Sequence, residues 1–451
     1  MTESDNPILT GPVLRTFLYY ALSSMIGLVA LTTLSLVDGV FVGNFVGGEA
    51  LAAITILVPC FTVLYAIALM FAIGGSVAAG AHIGGDDAEA ASDVFSQTIL
   101  GTVIMASTFA LSSYAFDDVL YRLLGAPPEL VPTVGEYFDV IRWALIVQLT
   151  TMVLYYFVRA DGHPVLATTA LLVGALGNIA LDALFIVYFD MGLAGAAYAV
   201  VLSQIAQAAV LGRYFASPER TLYFRLVQRD WSRLHQAMFN GVSEFINEIS
   251  VGIIFLLLNH LLIARLGVDG VASFTAVNYY IYVSLMLSYG FADALHPLAS
   301  QNYGARNRQR IRQILRTALA CSVGLGVVLS AVLLGFRTSL TGWFFTTEEA
   351  TVAADAAELV LVIWPVLLVN STNIILSCYL TAIHQPKPSA LVASLRGLVL
   401  PAALLLLLYV VYAARAGSSW SFLIALPLAE WATFVVAAPL VYRHRPAALA
   451  L

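Results

Sequence analysis

The amino-acid sequence predicts an all-α membrane protein, with twelve transmembrane helices arranged in two six-helix lobes. Three observations lead to this fold class: the composition, the recurrence of long apolar runs, and a weak internal repeat. Of the 451 residues, 60% are hydrophobic and only 11% are charged, whereas soluble domains carry about 25% charged residues. The composition is therefore that of a polytopic membrane protein.

Long apolar runs recur from one end of the chain to the other, and a helix needs about 20 such residues to cross a bilayer. The twelve predicted spans cover residues 14–43, 51–80, 94–116, 133–158, 165–189, 193–214, 235–265, 271–299, 314–337, 352–382, 389–413 and 419–442. Several exceed the minimum length, so we expect tilted or kinked helices. The acidic N-terminus lacks the basic segment of a cleaved signal peptide. We expect a multi-pass protein of the cell membrane.

The positions of lysine and arginine predict the orientation in the membrane. With the N-terminus inside, the inner segments hold 15 basic residues and the outer loops hold 4, while Arg142 and Arg396 lie within spans. Cytoplasmic loops carry the excess of basic residues in membrane proteins. Both termini are therefore predicted to be cytoplasmic.

A weak internal repeat divides the chain into two halves. A shift of 220 residues places Gly84 on Gly304, and a shift of 222 places Pro164 on Pro386. We predict an N-lobe at residues 1–215, a cytoplasmic arginine-rich linker at 216–234 and a C-lobe at 235–451. A shift of six spans keeps both halves in one orientation, so the repeat is parallel and pseudo-two-fold. Transporters place their cavities between such repeats.

Two carboxylates and an amide stand out in the first half. Asn178 and Asp182 lie four residues apart, on one face of the fifth predicted span. Asp38 lies near the outer end of the first span, at a similar depth to Asp182. We therefore predict that the three side chains converge in the outer half of the N-lobe.

Two interpretations of this convergence remain open. Two carboxylates in a dry site cannot easily both stay ionised, so one takes a proton or a cation lies between them. Oxygen ligands alone suit hard cations such as Na⁺. Alternatively, the group is a hydrogen-bonded structural cluster that holds helices together.

Ionisable residues also occur in the spans of the second half. Glu244 and Glu248 share one face of the seventh span, and Asp293 lies in the eighth, all in the inner half of the membrane. We assign these three to a substrate cavity because burial is the property they share. Arg396 beside Asp293 or Glu430 would form a buried structural ion pair.

No motif for enzymatic chemistry is present. The sequence contains no GxxxxGK[ST], HExxH, GxSxG or paired CxxC, so nothing supports nucleotide hydrolysis or metalloprotease chemistry. The three cysteines lie inside apolar runs and are interpreted as small core residues. We predict no enzyme activity, no cofactor, no nucleic-acid partner and a monomeric state.

At several motifs the sequence resembles the MATE family, multidrug and toxic compound extrusion, and in particular its bacterial multidrug, DinF-like branch. These motifs are "LVDGVFVGNFVGGEALAA" (36–53), "GNIALDALFI" (177–186), "GLAGAAYAVVLSQ" (192–204) and "LHPLASQNYGA" (295–305). The last has His296 where that branch usually has glutamine. The resemblance covers nearly the whole chain and implies twelve helices in two lobes.

The resemblance implies a cation site at Asp38, Asn178 and Asp182, the set already reached from depth and spacing. Two departures matter. Val200 replaces a threonine that often supplies a further oxygen, and no proline follows Pro12 in the first span to bend it. Because Na⁺ would then lack a ligand, we expect H⁺ to drive transport, with Na⁺ a weak competitor for the same three residues.

Three functions are considered for this sequence. The first is an antiporter that exports organic, mostly cationic or amphipathic, small molecules against H⁺ or Na⁺. The second is a flippase of a lipid-linked precursor, which needs a strongly cationic cavity, whereas Arg142 and Arg396 are the two basic residues within spans. The third is a membrane-embedded enzyme or receptor, which leaves the repeat unexplained. The sequence favours the first.

Overall fold

The computed structural model describes residues 6–225, 231–345, 349–413 and 420–449, and every regular element in these ranges is helical. Two arginines used in the orientation argument lie outside the described residues. These are Arg229 of the predicted linker 216–234 and Arg415 of a predicted outer loop.

The described residues form sixteen α-helices, which we number in chain order. They are α1 (Pro7–Thr10), α2 (Val13–Phe41), α3 (Gly48–Gly84), α4 (Ala88–Ala115), α5 (Asp117–Leu123), α6 (Val131–Ala160), α7 (Pro164–Asp182), α8 (Gly192–Gly212), α9 (Ser232–Gly304), α10 (Arg308–Gly335), α11 (Arg337–Gly342), α12 (Ala350–Ile363), α13 (Pro365–Ala382), α14 (Pro386–Ser394), α15 (Leu400–Ala413) and α16 (Ala425–Arg443).

Eleven helical segments of the described chain are long and apolar enough to cross a membrane. One of them is the 73-residue helix α9, which leaves helical geometry at Gly267, where φ is 66° and ψ is −160°. A glycine adopts this left-handed backbone without a Cβ clash. The predicted span 352–382 is also interrupted, because α12 ends at Ile363 and α13 starts at Pro365. Proline is favoured in the first turn of a helix, where its missing N–H costs no hydrogen bond.

Helix ends recur at the spacing that aligns the two halves of the sequence. Helices α4 and α10 each have 28 residues, and their N-caps are Asp87 and Asn307. Each cap side chain accepts a hydrogen bond of 3.0 Å from a backbone N–H in the first helical turn. Helices α3 and α9 end at Gly84 and Gly304. All these pairs are related by the 220-residue shift.

The chain divides into two compact units. Unit 1 contains Met1–Gly11, Leu22–Gly241 and Ser300–Ala305, and unit 2 contains Pro12–Ala21, Val242–Ala299 and Arg306–Leu451. Each unit has its own apolar core of buried leucine, valine, phenylalanine and alanine side chains. The predicted lobe limits at 1–215 and 235–451 stay a prediction.

The start of the linker is fixed to unit 1 by Asp161, which lies between α6 and α7. The Tyr214 hydroxyl donates to Oδ2 of Asp161 at 2.5 Å, and the backbone N–H of Thr221 donates to the same oxygen at 2.7 Å. Burial raises the pKa of the Asp161 carboxyl, although both hydrogen bonds act in the opposite direction. Further along, Arg225 forms an ion pair with Glu89 at 2.6 Å.

Two arginines of α6 are buried inside unit 1. Arg142 pairs with Asp139 and donates to the carbonyl oxygen of Ser113 at 3.0 Å. Arg159 is 1% exposed and donates to the Tyr155 hydroxyl at 3.1 Å. Arg159 was predicted to lie in a cytoplasmic segment, and in the structure it lies in the last turn of α6 with its side chain buried. Counting arginines by sequence position does not detect such burial.

Candidate functional site

The two carboxylates predicted to form the N-lobe site both lie beside π-helical turns. Asp38 is in the last turn of α2, just before the π-helical turn Val42–Val46. Asp182 ends α7 and directly precedes the π-helical turn Ala183–Tyr188. Such wide turns occur frequently at functional sites in proteins. Each carboxylate is therefore placed where its helix departs from regular α geometry.

The structure brings the carboxyl groups of Asp38 and Asp182 within hydrogen-bonding reach of each other. Asp182 is fully buried and Asp38 is half-buried. Two carboxyl groups form a hydrogen bond only if one of them carries the proton that it donates. The pair is therefore suited to hold one proton, or one cation in its place.

Asn178 joins the same pocket from one turn earlier on α7. Only one orientation of its amide forms hydrogen bonds with both Asp182 and Val200, and we assign that orientation from the hydrogen-bond network. The nitrogen then donates to Oδ2 of Asp182 at 3.2 Å, and the oxygen accepts from the backbone N–H of Val200 at 3.2 Å. At Val200 the main-chain N–H takes part in the pocket.

Two tyrosines near the pocket were missed by the sequence analysis. The phenol of Tyr137, on α6, is close enough to Asp38 and Asp182 to interact with their charges, and it also interacts with Tyr65 of α3. Tyr137 is 6% exposed. In the sequence these residues look like ordinary apolar-face aromatics, and no spacing rule connects α3 and α6 to Asp38.

One oxygen of each carboxyl remains available within the pocket. Oδ1 of Asp38 and Oδ1 of Asp182 are buried and receive no N–H or O–H from the described part of the protein. Buried polar atoms nearly always have a partner in proteins. A proton or a small cation between these oxygens would provide one, so the geometry suits cation binding.

In unit 2, the predicted cavity residues lie near one another on α9. Glu244 is 3% exposed and interacts electrostatically with Asp293 and Glu248. Its Oε2 accepts a hydrogen bond from Asn247 at 3.5 Å, while Oε1 is buried and receives none. Three acidic side chains thus share one region of unit 2.

Arg396 forms a buried ion pair with Glu430, one of the two partners considered from the sequence. Nε of Arg396 lies 3.4 Å from Oε1 of Glu430, and Nη2 donates to Oδ1 of Asn370 at 2.9 Å. Asn373 donates to Oε2 of Glu430 at 2.7 Å. Arg396 lies in the π-helical turn Leu395–Val399. The charges of this pair are mutually compensated.

A mostly apolar cavity of about 200 Å³ opens beside this ion pair within unit 2. Most of its lining is aliphatic and aromatic, and its amide and charged lining residues are Asn247, Asn278, Asn370, Arg396 and Glu430. Glu244, Glu248 and Asp293 are not among its lining residues. Apolar walls with a few polar groups are typical of sites for small organic ligands.

The chain is similar to known membrane proteins over nearly its whole length. A family model described as MatE matches residues 23–184 and 245–406, so the same model fits each half once. The multidrug export protein MepA of Staphylococcus aureus (strain NCTC 8325 / PS 47) is 26% identical over 436 residues, which are 94% of each chain.

Solved structures show the same fold at low sequence identity. A crystal structure of MATE in complex with MaD3S has a TM-score of 0.89 at 22% identity, covering 98% of both chains. An outward-facing multidrug resistance MATE family transporter has a TM-score of 0.86 at 23% identity, covering 96% of this chain and 97% of that one. Together with the eleven apolar segments, these matches identify a multi-pass plasma-membrane protein.

Proposed function

This chain belongs to the MatE family, and from that premise we propose that it is a cation-coupled antiporter that exports organic small molecules. The S. aureus relative is named a multidrug export protein, which supports export as the direction of transport. A transporter needs no catalytic motif, and the sequence contains none of those sought.

The observation that carries the proposal is the paired carboxyl groups of Asp38 and Asp182. They come from different helices, α2 and α7, so relative movement of these helices can assemble or open the pair. A ligand shifts a two-state equilibrium only if it binds the two states with different affinity. A site shared between two helices provides that difference.

The coupling ion that this pocket favours is H⁺. A proton needs one carboxyl and one hydrogen-bond acceptor, which Asp38 and Asp182 supply. Na⁺ needs several oxygen ligands, and Val200 offers no hydroxyl. Asn178 also has its amide oxygen engaged by a backbone N–H. Na⁺ would therefore be a weak competitor at Asp38, Asn178 and Asp182.

The proposed substrates are cationic or amphipathic organic molecules. The cavity of unit 2 has mainly apolar walls, with Glu430 and Arg396 among its lining residues, and promiscuous binding surfaces rely on such adaptable apolar contacts. Glu244, Glu248 and Asp293 would add negative charge nearby. The protein would work as a monomer in the bilayer.

The proposed topology has twelve spans with both termini in the cytoplasm. The break of α9 at Gly267 supports counting that helix as two spans. A lipid-linked precursor flippase is less suited to this chain, because Arg142 and Arg396 are already paired with Asp139 and Glu430. Neither guanidinium remains for a pyrophosphate group.

The test is efflux of ethidium from proteoliposomes, with Na⁺ and pH gradients imposed separately. We expect efflux to follow the pH gradient and to respond weakly to Na⁺. Empty liposomes and proteoliposomes treated with a protonophore serve as controls. Efflux that ignores the pH gradient but follows Na⁺ would overturn the proton assignment, and no efflux of any cationic dye would overturn the export function.

A further inference from the structure

Three side chains of unit 2 that the transport proposal does not use as a group converge on one point. Glu244, His296 and Cys378 each present one ligand atom, and these atoms all lie within 4.8 Å of one another. The three side chains are 3%, 4% and 3% exposed, respectively. Glu244 and His296 lie on opposite sides of the Gly267 break in α9, and Cys378 lies on α13.

We propose that Glu244, His296 and Cys378 form a binding site for a borderline-soft transition cation of the Zn²⁺ class. A carboxylate oxygen, an imidazole nitrogen and a thiolate sulfur are the three ligand types that Zn²⁺ takes from proteins. A thiolate and an imidazole together select against Na⁺, Mg²⁺ and Ca²⁺, which prefer oxygen. The site therefore differs in chemistry from the pocket at Asp38 and Asp182.

The spacing needs only a small adjustment to fit a tetrahedral ion. With metal–ligand bonds of about 2.0–2.3 Å, the ligand atoms of Zn²⁺ stand roughly 3.3–3.8 Å apart. The observed upper limit of 4.8 Å is about 1 Å wider, which side-chain rotation of glutamate and histidine can close. Water or a neighbouring carboxylate would complete the tetrahedron.

Local charge also favours a divalent ion. Glu244 and Cys378 both interact electrostatically with Asp293, so two carboxyl groups and a thiol that can each give up a proton to a bound cation lie at this point. Arg396 acts on both as well, but it already forms an ion pair with Glu430 at 3.4 Å. Buried charges in proteins are paired or coordinate metals. On binding, the metal ion would replace the thiol proton of Cys378, and that proton would pass to water.

The experiment is titration of the purified, tag-free protein with Co²⁺, a coloured substitute for Zn²⁺, followed by displacement with Zn²⁺. We expect one Co²⁺ per chain and a sulfur-to-cobalt charge-transfer absorption that Zn²⁺ abolishes. C378S should lose this absorption. C60S, which changes another buried cysteine located in unit 1, should keep it.

Two further variants test the other ligands. H296Q and E244Q keep side-chain size and hydrogen-bonding capacity but provide poor metal ligands, so each should weaken Co²⁺ binding by at least about tenfold. Size-exclusion chromatography checks that each variant is folded. If C378S does not fold, X-ray absorption of the Zn²⁺-loaded wild type decides, and one sulfur with one imidazole ligand supports the site.

Three results would overturn the proposal, and none depends on whether the protein transports anything. The first is the absence of stoichiometric Co²⁺ binding. The second is a charge-transfer absorption that survives in C378S. The third is a zinc X-ray absorption spectrum with nitrogen and oxygen ligands alone.

Discussion

The residues of the pocket in unit 1, Asp38, Asn178 and Asp182, have different roles. The Asp38 and Asp182 carboxyls lie within hydrogen-bonding reach, and Asn178 links Asp182 to the backbone of α8. A buried carboxyl is expensive in a membrane and is usually retained for function. The pocket therefore has one group that holds Asp182 in place and two groups that can exchange a proton.

Replacing either carboxyl should abolish coupling without unfolding the protein. We expect D38N and D182N each to reduce pH-driven ethidium efflux to the level of empty liposomes, because an amide cannot take up and release the proton. D190N is a matched control, since Asp190 is exposed and its φ of 52° is one that asparagine tolerates. Normal efflux by both site variants would favour the purely structural role of these carboxyls.

A substitution of Val200 tests which ion the pocket prefers. V200T adds a hydroxyl beside the point where Asn178 meets the α8 backbone, so Na⁺ should bind more tightly, by up to about tenfold, while proton-driven efflux persists. Na⁺ binding by isothermal titration calorimetry measures this change. V201T makes the same substitution one residue further along α8. Equal Na⁺ affinity in both variants would contradict the role given to position 200.

At the scale of elements, α3 and the end of α9 approach closely within unit 1. A Cβ on Gly84 would lie 1.8 Å from the carbonyl oxygen of Gln301, and a Cβ on Gly304 would lie 1.7 Å from that of Ala81. The 220-residue shift relates Gly84 to Gly304 and Ala81 to Gln301, so the two contacts are equivalent under the repeat. Because backbone cannot move aside as a side chain can, glycine is required at both positions.

We expect opposite effects on stability from alanine at a glycine of this contact and at a glycine elsewhere. G84A should lower the unfolding temperature in detergent, since the helices must separate and overpacking costs roughly 1–3 kcal/mol. G324A on α10 has no atom within 4 Å of the new Cβ. It should be neutral or stabilising by up to about 1 kcal/mol, because alanine is the better helix former. A G84A protein as stable as G324A would show that this contact is not maintained.

A second prediction at this scale concerns Asp161, which fixes the start of the linker to unit 1. D161A removes the acceptor of the Tyr214 hydroxyl and the Thr221 N–H, and should destabilise unit 1 by about 1–3 kcal/mol. D161N should be milder, because burial already raises the pKa of Asp161 and a neutral amide oxygen still accepts. Thermal unfolding of the two variants measures the difference. Equal loss in both would mean that the negative charge of Asp161 is needed.

At the scale of the whole molecule, the two halves share one succession of helices. The same family model matches 23–184 and 245–406, and helices α4 and α10 have equal length and equivalent caps. Repeats with an even number of spans keep the same orientation in the membrane. The chain should therefore begin and end on the same side.

Reporter fusions test this topology. Alkaline phosphatase fused after Leu451 should be inactive, and green fluorescent protein at the same place should fluoresce, because both termini are expected in the cytoplasm. A fusion that ends at Asp190, in a predicted outer loop, should give the reverse pattern. Active phosphatase at the C-terminus would refute the predicted orientation.

The sequence by itself determined the class of this protein. Its apolar runs predict a helical membrane protein, and the matching motifs predict the family that the comparison shows. Helical periodicity also places Asn178 and Asp182 on one face. These properties are local or repetitive, so they can be recognised without knowing which helices are neighbours.

Matching depth in two spans also predicted that Asp38 and Asp182 converge, but only the tertiary structure shows which side chains distant in the chain are neighbours. The approach of Asp38 to Asp182, the place of Tyr137 beside them, and the pairing of Arg396 with Glu430 all join different helices. The convergence of Glu244, His296 and Cys378 is of the same kind. In a chain whose spans are nearly uniform in hydrophobicity, composition does not specify which helix faces meet, because packing of small and polar residues decides it.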